Sequence, residues 1–173
     1  SAAETYIEDT ALNLVDIVVS DVDGGNLTVT LTLSNVAAGS LNTGTSGAVT
    51  STYNAGTGVW SASGAIANVN TLLAALTFTP AANFNSNFTI ATSVSDGVAA
   101  AITGSKAMTG TPVNDAPTAT NLSAAETYTE DTALNLIDIV VSDIDSATVT
   151  ATLTLSNIAA GSLNTGTSGA VTS

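Results

Sequence analysis

Apolar and polar residues alternate with a period of two through the segment "NLTVTLTLS", where Leu27, Val29, Leu31 and Leu33 share one parity and Thr28, Thr30, Thr32 and Ser34 the other. The segment "NFTIATSVS" repeats the pattern with Phe88, Ile90 and Val94. A period of two sends successive side chains to opposite faces, so both segments read as β-strands with one buried face. Further strands are predicted over residues 12–19, 48–53, 59–62, 76–79 and 98–110, separated by the turn-forming runs "DVDGG", "NTGTSG", "NAGTG", "ANFNSN" and "SDG". One segment departs from this pattern. Ile66, Val69, Leu72, Leu73 and Leu76 recur at helical spacing, which predicts a short helix crossing between strands. About seven short strands with regular turns predict an all-β, Ig-like antiparallel β-sandwich.

Self-comparison changes the picture from one domain to an array. Residues 1–51 recur at 123–173 without a gap, and only nine of the 51 positions differ. The repeating unit is 122 residues long, the size of an ordinary domain. Residues 1–111 are expected to form one complete repeat, and residues 123–173 the N-terminal part of the next. Between them, residues 112–122 contain Pro117 as well as Pro112 and no hydrophobic period, which suits an extended connector. Every Phe and Trp of the unit lies within residues 60–88, so the second copy lacks them. Its apolar edges cannot close a core alone. It is expected to be ordered only when it pairs with another chain, for instance by completing residues 52–122 of a neighbouring copy in a strand-exchanged homo-oligomer.

Composition then removes whole classes of function. The chain has no His and no Cys, which excludes Ser-His-Asp and Cys-His catalysis, His-based zinc chemistry and disulfides. Its single cation is Lys106, against 14 carboxylates, for a net charge of −13. Nucleic acid and anionic membrane surfaces are therefore poor partners. With 45% hydrophobic and 9% charged residues the chain has ample surface to bury, unlike a disordered acidic tail. Mean hydropathy is +0.41, yet no apolar run approaches the roughly 20 residues of a membrane-spanning helix. No basic segment followed by an apolar one opens the chain, so no signal peptide is visible.

The placing of the charge carries most of the functional information. Residues 24–95 hold no charged residue, while twelve of the 14 acids fall in 1–23 and 123–145, the others being Asp96 and Asp115. A merely solvated surface would scatter its carboxylates, and here the exposed strand positions are left to Thr, Ser and Asn. Mutually repelling acids gathered in a few loops suit a hard cation with oxygen ligands, Ca²⁺ above all. "VSDVDG" and "VSDID" set Asp21 with Asp23, and Asp143 with Asp145, two residues apart just after a strand. "EDT" supplies Glu8 and Asp9, and "NDAP" supplies Asn114 and Asp115. Ig-like strand order would bring Glu8, Asp9, Asn114, Asp115, Asp143 and Asp145 to one junction between repeats. Asp21, Asp23 and Asp96 would then form the first repeat's own set at its opposite end. Asp16 and Asp138, inside "LVDIVV" and "LIDIVV", read as exposed bends, and Glu4 and Glu126 as solvated. The bland alternative for the clusters is turn-forming and capping Asp with no metal.

The elements "YTEDTALNL", "VSDID", "FTPAANFNSNFTIATSVSDG" and "VNDAPT" together resemble the cadherin-like tandem repeats of giant bacterial surface adhesins, the RTX type exported by type I secretion. The resemblance covers the whole 122-residue unit. It implies a calcium-stiffened β-sandwich that serves as a spacer in an extracellular fibre on a Gram-negative cell, with a part in adhesion and biofilm formation. By similarity to cadherins, Glu8 matches the glutamate near the first strand, Asn114 and Asp115 the linker motif, and Asp143 and Asp145 the paired aspartates of the next domain. "NDAP" is shorter than the animal linker motif and has fewer carboxylates, which implies fewer ions at each junction. Extracellular modules of this kind bind Ca²⁺ with Kd of about 10⁻⁴–10⁻³ M.

Other readings stand beside this one. Trp60 with Tyr53 could stack on a carbohydrate, although Trp60, Phe78, Phe84 and Phe88 read better as core. The Thr-rich strand is a plain solvent face rather than an ice-binding array, since no short solenoid period repeats it. Lys106 could form an amide cross-link to an Asn beside a carboxylate, but that chemistry needs a desolvated lysine next to a buried acid, and "TGSKAMTG" around it is not apolar. Paired acids could serve a glycosidase, yet no aromatic-lined cleft is suggested, and no enzyme activity is expected.

Overall fold

Residues 26–33 form the strand their period dictates, with Leu27, Val29, Leu31 and Leu33 buried and the threonines on the other face. The computed structural model describes residues 2–14, 17–168 and 171–172. It divides into two units, Ser1–Val113 and Asn114–Ser173. Among the described residues the first unit holds eleven strands and one α-helix in the order β1 (Glu4–Ile7), β2 (Leu12–Asn13), β3 (Asn26–Leu33), β4 (Gly39–Leu41), β5 (Thr45–Ser46), β6 (Val49–Thr50), β7 (Thr52–Asn54), β8 (Val59–Ala65), α1 (Ile66–Ala74), β9 (Thr77–Pro80), β10 (Phe88–Ser95) and β11 (Ile102–Thr111).

Six strands form one mixed sheet in the order β1-β11-β10-β3-β8-β7, and β2-β9-β4 form a smaller one. All pairings are antiparallel except the first, in which β1 runs parallel to β11 with Tyr6 beside Gly110. A single core lies within the unit. The large sheet contributes Tyr6, Leu31, Trp60, Phe88, Ile90 and Met108, the small one Leu41 and Phe78, and α1 contributes Val69, Leu72 and Leu73. The rings of Tyr6, Phe78, Phe84 and Phe88 pack together with centroids 5.0–6.4 Å apart, mostly edge to face or tilted, as ring quadrupoles favour. The chain is thus all-β with one helix, as the alternation and the helical spacing predict.

Two predicted strands are shorter than expected. Residues 12–19 are expected to form one strand, but among the described residues of that stretch only Leu12–Asn13 joins a ladder. Positions 15 and 16 lie outside the described residues, so the reading of Asp16 as an exposed bend does too. Further on, Val19 is buried and its backbone is satisfied by a side chain instead of a strand: Asn70 of α1 accepts from Val19 N and donates to Val19 O, both at 2.9 Å. The expected strand over 98–110 begins only at Ile102, since residues 98–101 are exposed and have no ladder. Asn70→Ala removes both hydrogen bonds to Val19 and leaves two buried backbone groups unmatched. It is expected to cost about 2 kcal/mol in urea denaturation of the full chain; an unchanged midpoint would show that Asn70 does not hold this segment.

In the second unit, β12 (Thr118–Ala119) pairs with β13 (Val141–Ser142), and β14 (Thr167–Ser168) with β15 (Val171–Thr172). Two residues of the expected connector, Thr118 and Ala119, therefore belong to a ladder of the second unit. The apolar positions that duplicate the first unit's core stand exposed. Tyr6 is 1% exposed and its counterpart Tyr128 68%; Leu31 is fully buried and its counterpart Leu153 is 50% exposed.

Candidate functional site

β1 ends where its chain turns away beside the end of β11. Glu8 N donates to Thr111 O at 3.1 Å, and Thr10 N closes a turn on Ile7 O with Asp9 in the left-handed region at φ 58°. Asp is among the few residues that adopt this conformation readily. Asp9 Oδ1 in turn accepts from Asn83 N at 3.0 Å. Glu8 is only 1% exposed. Its Oε2 accepts from Asn85 Nδ2 at 3.1 Å and its Oε1 from the backbone N of Val113. Charge-assisted bonds of this kind are about twice as strong as neutral ones, so Glu8 ties the chain leaving β11 to the base of β1. The Glu8 charge and burial together raise the Tyr6 phenol above its ordinary range, burial being the larger cause. Tyr6 keeps its proton and donates it to Ser86 O at 2.7 Å. Gly110 makes room for this approach, since a Cβ there would stand 2.1 Å from Asn85 O.

Asp21, Asp23 and Asp96 lie at the opposite end of the first unit. In the β10–β3 ladder Ser95 pairs with Thr28, so the chain leaves β10 toward Asp96 where it arrives from Asp21 and Asp23 to begin β3. Asp21 Oδ1 accepts from Asp23 N at 2.8 Å. Asp96 Oδ1 accepts from Val98 N and Ala99 N, both at 2.9 Å, and these two amides hold its carboxyl below the usual range.

Within the second unit the antiparallel pairing of Thr118 with Ser142 sets Asp115, before β12, at the same end of the ladder as Asp143 and Asp145, after β13. Asp115 N donates to Asp145 Oδ2 at 2.6 Å, Asp145 N to Asp143 Oδ1 at 2.9 Å, and Ser146 N to Asp143 Oδ1 at 2.7 Å. Asn114 Nδ2 donates to Asp115 O at 2.8 Å. The structure thus brings together Asp115, Asp143 and Asp145 in one unit, and Glu8 with Asp9 in the other, while Asp21, Asp23 and Asp96 share the far end of the first unit. Among the described residues, no three or more acidic side chains are already arranged as a metal cage. The donor set nevertheless suits a hard cation: it consists of carboxylates and a side-chain amide, without nitrogen or sulfur ligands of the softer metals.

Two residues that the sequence placed elsewhere are functional candidates. Glu4, expected to be solvated, points inward from β1, and Lys106, in a polar stretch of sequence, is buried in β11. Their side chains are 7% and 1% exposed, and Lys106 Nζ donates to Glu4 Oε1. The parity of the strand could have signalled this, because Lys106 shares the inward parity of Met108. Glu126, the counterpart of Glu4, is exposed and accepts from Ile137 N, and Asp138 is exposed as expected. Trp60 offers no stacking face to a sugar: it is buried, and its Nε1 donates to Asn42 O at 3.0 Å.

Comparison of the chain with protein-family models, with curated proteins and with solved structures gave no match.

Proposed function

We propose that the chain is a non-enzymatic, calcium-binding structural repeat: an Ig-like, cadherin-like sandwich that serves as a spacer in an extracellular adhesin or surface fibre. The observation that carries this reading is the gathering of Asp115, Asp143 and Asp145 across one short ladder in a chain with a single cation. The Asp115 amide donates to Asp145 and the Asp145 amide to Asp143, so the three acidic residues are linked through their backbone, and a divalent cation would offset the repulsion among their charges. The first unit supports the spacer role. Its parallel β1 and β11 let the chain enter at one end and leave at the other, with Glu8 and Asp9 at one of those ends and Asp21, Asp23 and Asp96 at the other. Its strand faces are uncharged across residues 24–95. Calcium taken up by Glu8, Asp9, Asn114, Asp115, Asp143 and Asp145, and by Asp21, Asp23 and Asp96, stiffens a succession of such repeats. Without it, like charges keep the connection between them loose.

The test is a calcium titration followed by thermal melting, with magnesium as control. Binding at Kd of about 10⁻⁴–10⁻³ M adds about 1.4–2.7 kcal/mol when free calcium is about ten to a hundred times Kd. Tm is therefore expected to rise by several degrees with calcium and far less with magnesium. Asp143→Asn combined with Asp145→Asn is expected to abolish the rise. A Tm indifferent to calcium removes the reading.

A further inference from the structure

The buried pair of Glu4 and Lys106 joins the first strand of the unit to its last. β1 and β11 are neighbours and parallel, with Glu4 beside Met108 in register, so Lys106 stands one same-face position back along β11. On its other side Lys106 is paired with Ile90 of β10, which is fully buried. The only Lys or Arg of the chain is thus held in the interior with a carboxyl group against its amine. An ion pair in such a place has lost the hydration that favours separated charges, and its mutual attraction does not always repay that loss. Passing one proton from Nζ to Oε1 gives a neutral amine beside a neutral acid, the pair of forms from which an amide can be made.

We propose that Lys106 and Glu4 condense to an intramolecular amide in the folded protein. The Nζ lone pair attacks Cδ of the Glu4 carboxyl, and an Nζ–Cδ bond forms. The Cδ–OH bond then breaks, the hydroxyl leaves with a proton from Nζ, and one water is released. An ammonium and a carboxylate become an amide and water, with no oxidant, reductant or activating group. Condensation of a free amine with a free acid is unfavourable in water because both ions are well hydrated. The fold removes that hydration and holds the reacting groups together, and well-oriented groups reach effective molarities of about 10⁵–10⁸ M. The product is neutral and suits its apolar surroundings of Ile90 and Met108.

The cross-link has a mechanical consequence. Load along the chain enters through β1 and leaves through β11, and a covalent bond between residues 4 and 106 carries it directly across. The 102-residue separation between them then lies outside the load path. This inference does not rest on calcium and stands or falls separately from it.

Intact-mass measurement of the purified chain tests it. The expected mass is one water below that of the sequence, and the full sequence mass is expected for Lys106→Met and for Glu4→Ala. These readings do not require either variant to be stable. Trypsin supplies a second readout, because Lys106 is the only residue after which it can cut. In urea the wild-type chain is expected to stay whole, while a free lysine lets it divide in two. Fragmentation mass spectrometry is expected to show residues 4 and 106 joined. A full sequence mass with cleavage at Lys106 overturns the proposal. So does a water loss at Asp23-Gly24 or Asp96-Gly97, where aspartates can cyclise and leave Lys106 cleavable. A link from Lys106 to any other carboxyl overturns the assignment of Glu4.

Discussion

Trp60→Ala is expected to lower the stability of the first unit by about 3–5 kcal/mol, the range for losing a buried large aromatic side chain. Trp60 is 1% exposed and sits in β8 between Leu31 of β3 and Tyr53 of β7. Its Nε1 donates to Asn42 O, and Asn42 is itself bound to the other sheet. The Asn42 backbone N donates to Thr77 O at 3.1 Å, its Oδ1 accepts from Thr77 N at 2.7 Å and its Nδ2 donates to Ala75 O at 3.0 Å. Removing the indole therefore opens a cavity and unties the six-stranded sheet from the segment that precedes β9. Trp60→Phe separates the two effects. It keeps a ring in place and forfeits the bond to Asn42, for an expected loss of about 1–2 kcal/mol. Urea denaturation followed by far-ultraviolet circular dichroism is the measurement, since each variant lacks the only Trp. A Trp60→Ala midpoint equal to wild type would show that the two sheets are not joined through this residue.

The two copies of one sequence show which features sequence reading can reach. The local turns are the same in both. Asp9 and Asp131 adopt φ of 58° and 62°, and Asn35 and Asn157 each accept from the amide two residues on, at 3.0 Å. Asp21 and Asp143 do the same at 2.8 and 2.9 Å. A turn that a side chain closes onto its own backbone needs nothing from the rest of the chain, so its sequence suffices to read it. Ladders are different. Leu27, Val29, Leu31 and Leu33 are buried because β8 and β10 lie on either side of their strand. The same alternation at 149–155 joins no ladder. Periodicity shows which face will be buried, not whether a partner is there to bury it.

The same distinction explains what escaped the reading of the site. Acids that cap turns were legible from "SDVD" and "SDID", and their gathering at loops from the charge-free run between them. Glu4 and Lys106 were not, because the environment of Lys106 is set by β1 and β10. Its flanking residues Ser105 and Ala107 point to the other face and are exposed. Polarity of the adjacent sequence is a poor guide inside a strand, where neighbours in space are one strand or two residues away. At residues 12–19 the two copies differ as well: Val19 is held by Asn70 of α1, whereas the matching Val141–Ser142 pairs with Thr118–Ala119.

Supplying the missing partners should therefore fold the second unit. A chain extended beyond Ser173 by a second copy of residues 52–113 contains every strand that buries the first unit's core. Leu153 and Leu155 are then expected to become as inaccessible as Leu31 and Leu33, and Tyr128 as Tyr6. Each such side chain gains about 1.5–3 kcal/mol on full burial, which together exceed what short isolated hairpins can supply. Amide hydrogen exchange reads the change directly. Residues 149–155, which form no ladder in the 173-residue chain, are expected to slow by at least about 10³-fold once they open only by global unfolding. A second cooperative transition should appear in thermal melting. The control is an extension of the same composition in scrambled order, which cannot offer alternating faces in register and should leave exchange fast. If the true extension also leaves it fast, the near-identical second copy does not specify the same fold, and the ladders of the first unit depend on something other than residues 52–113.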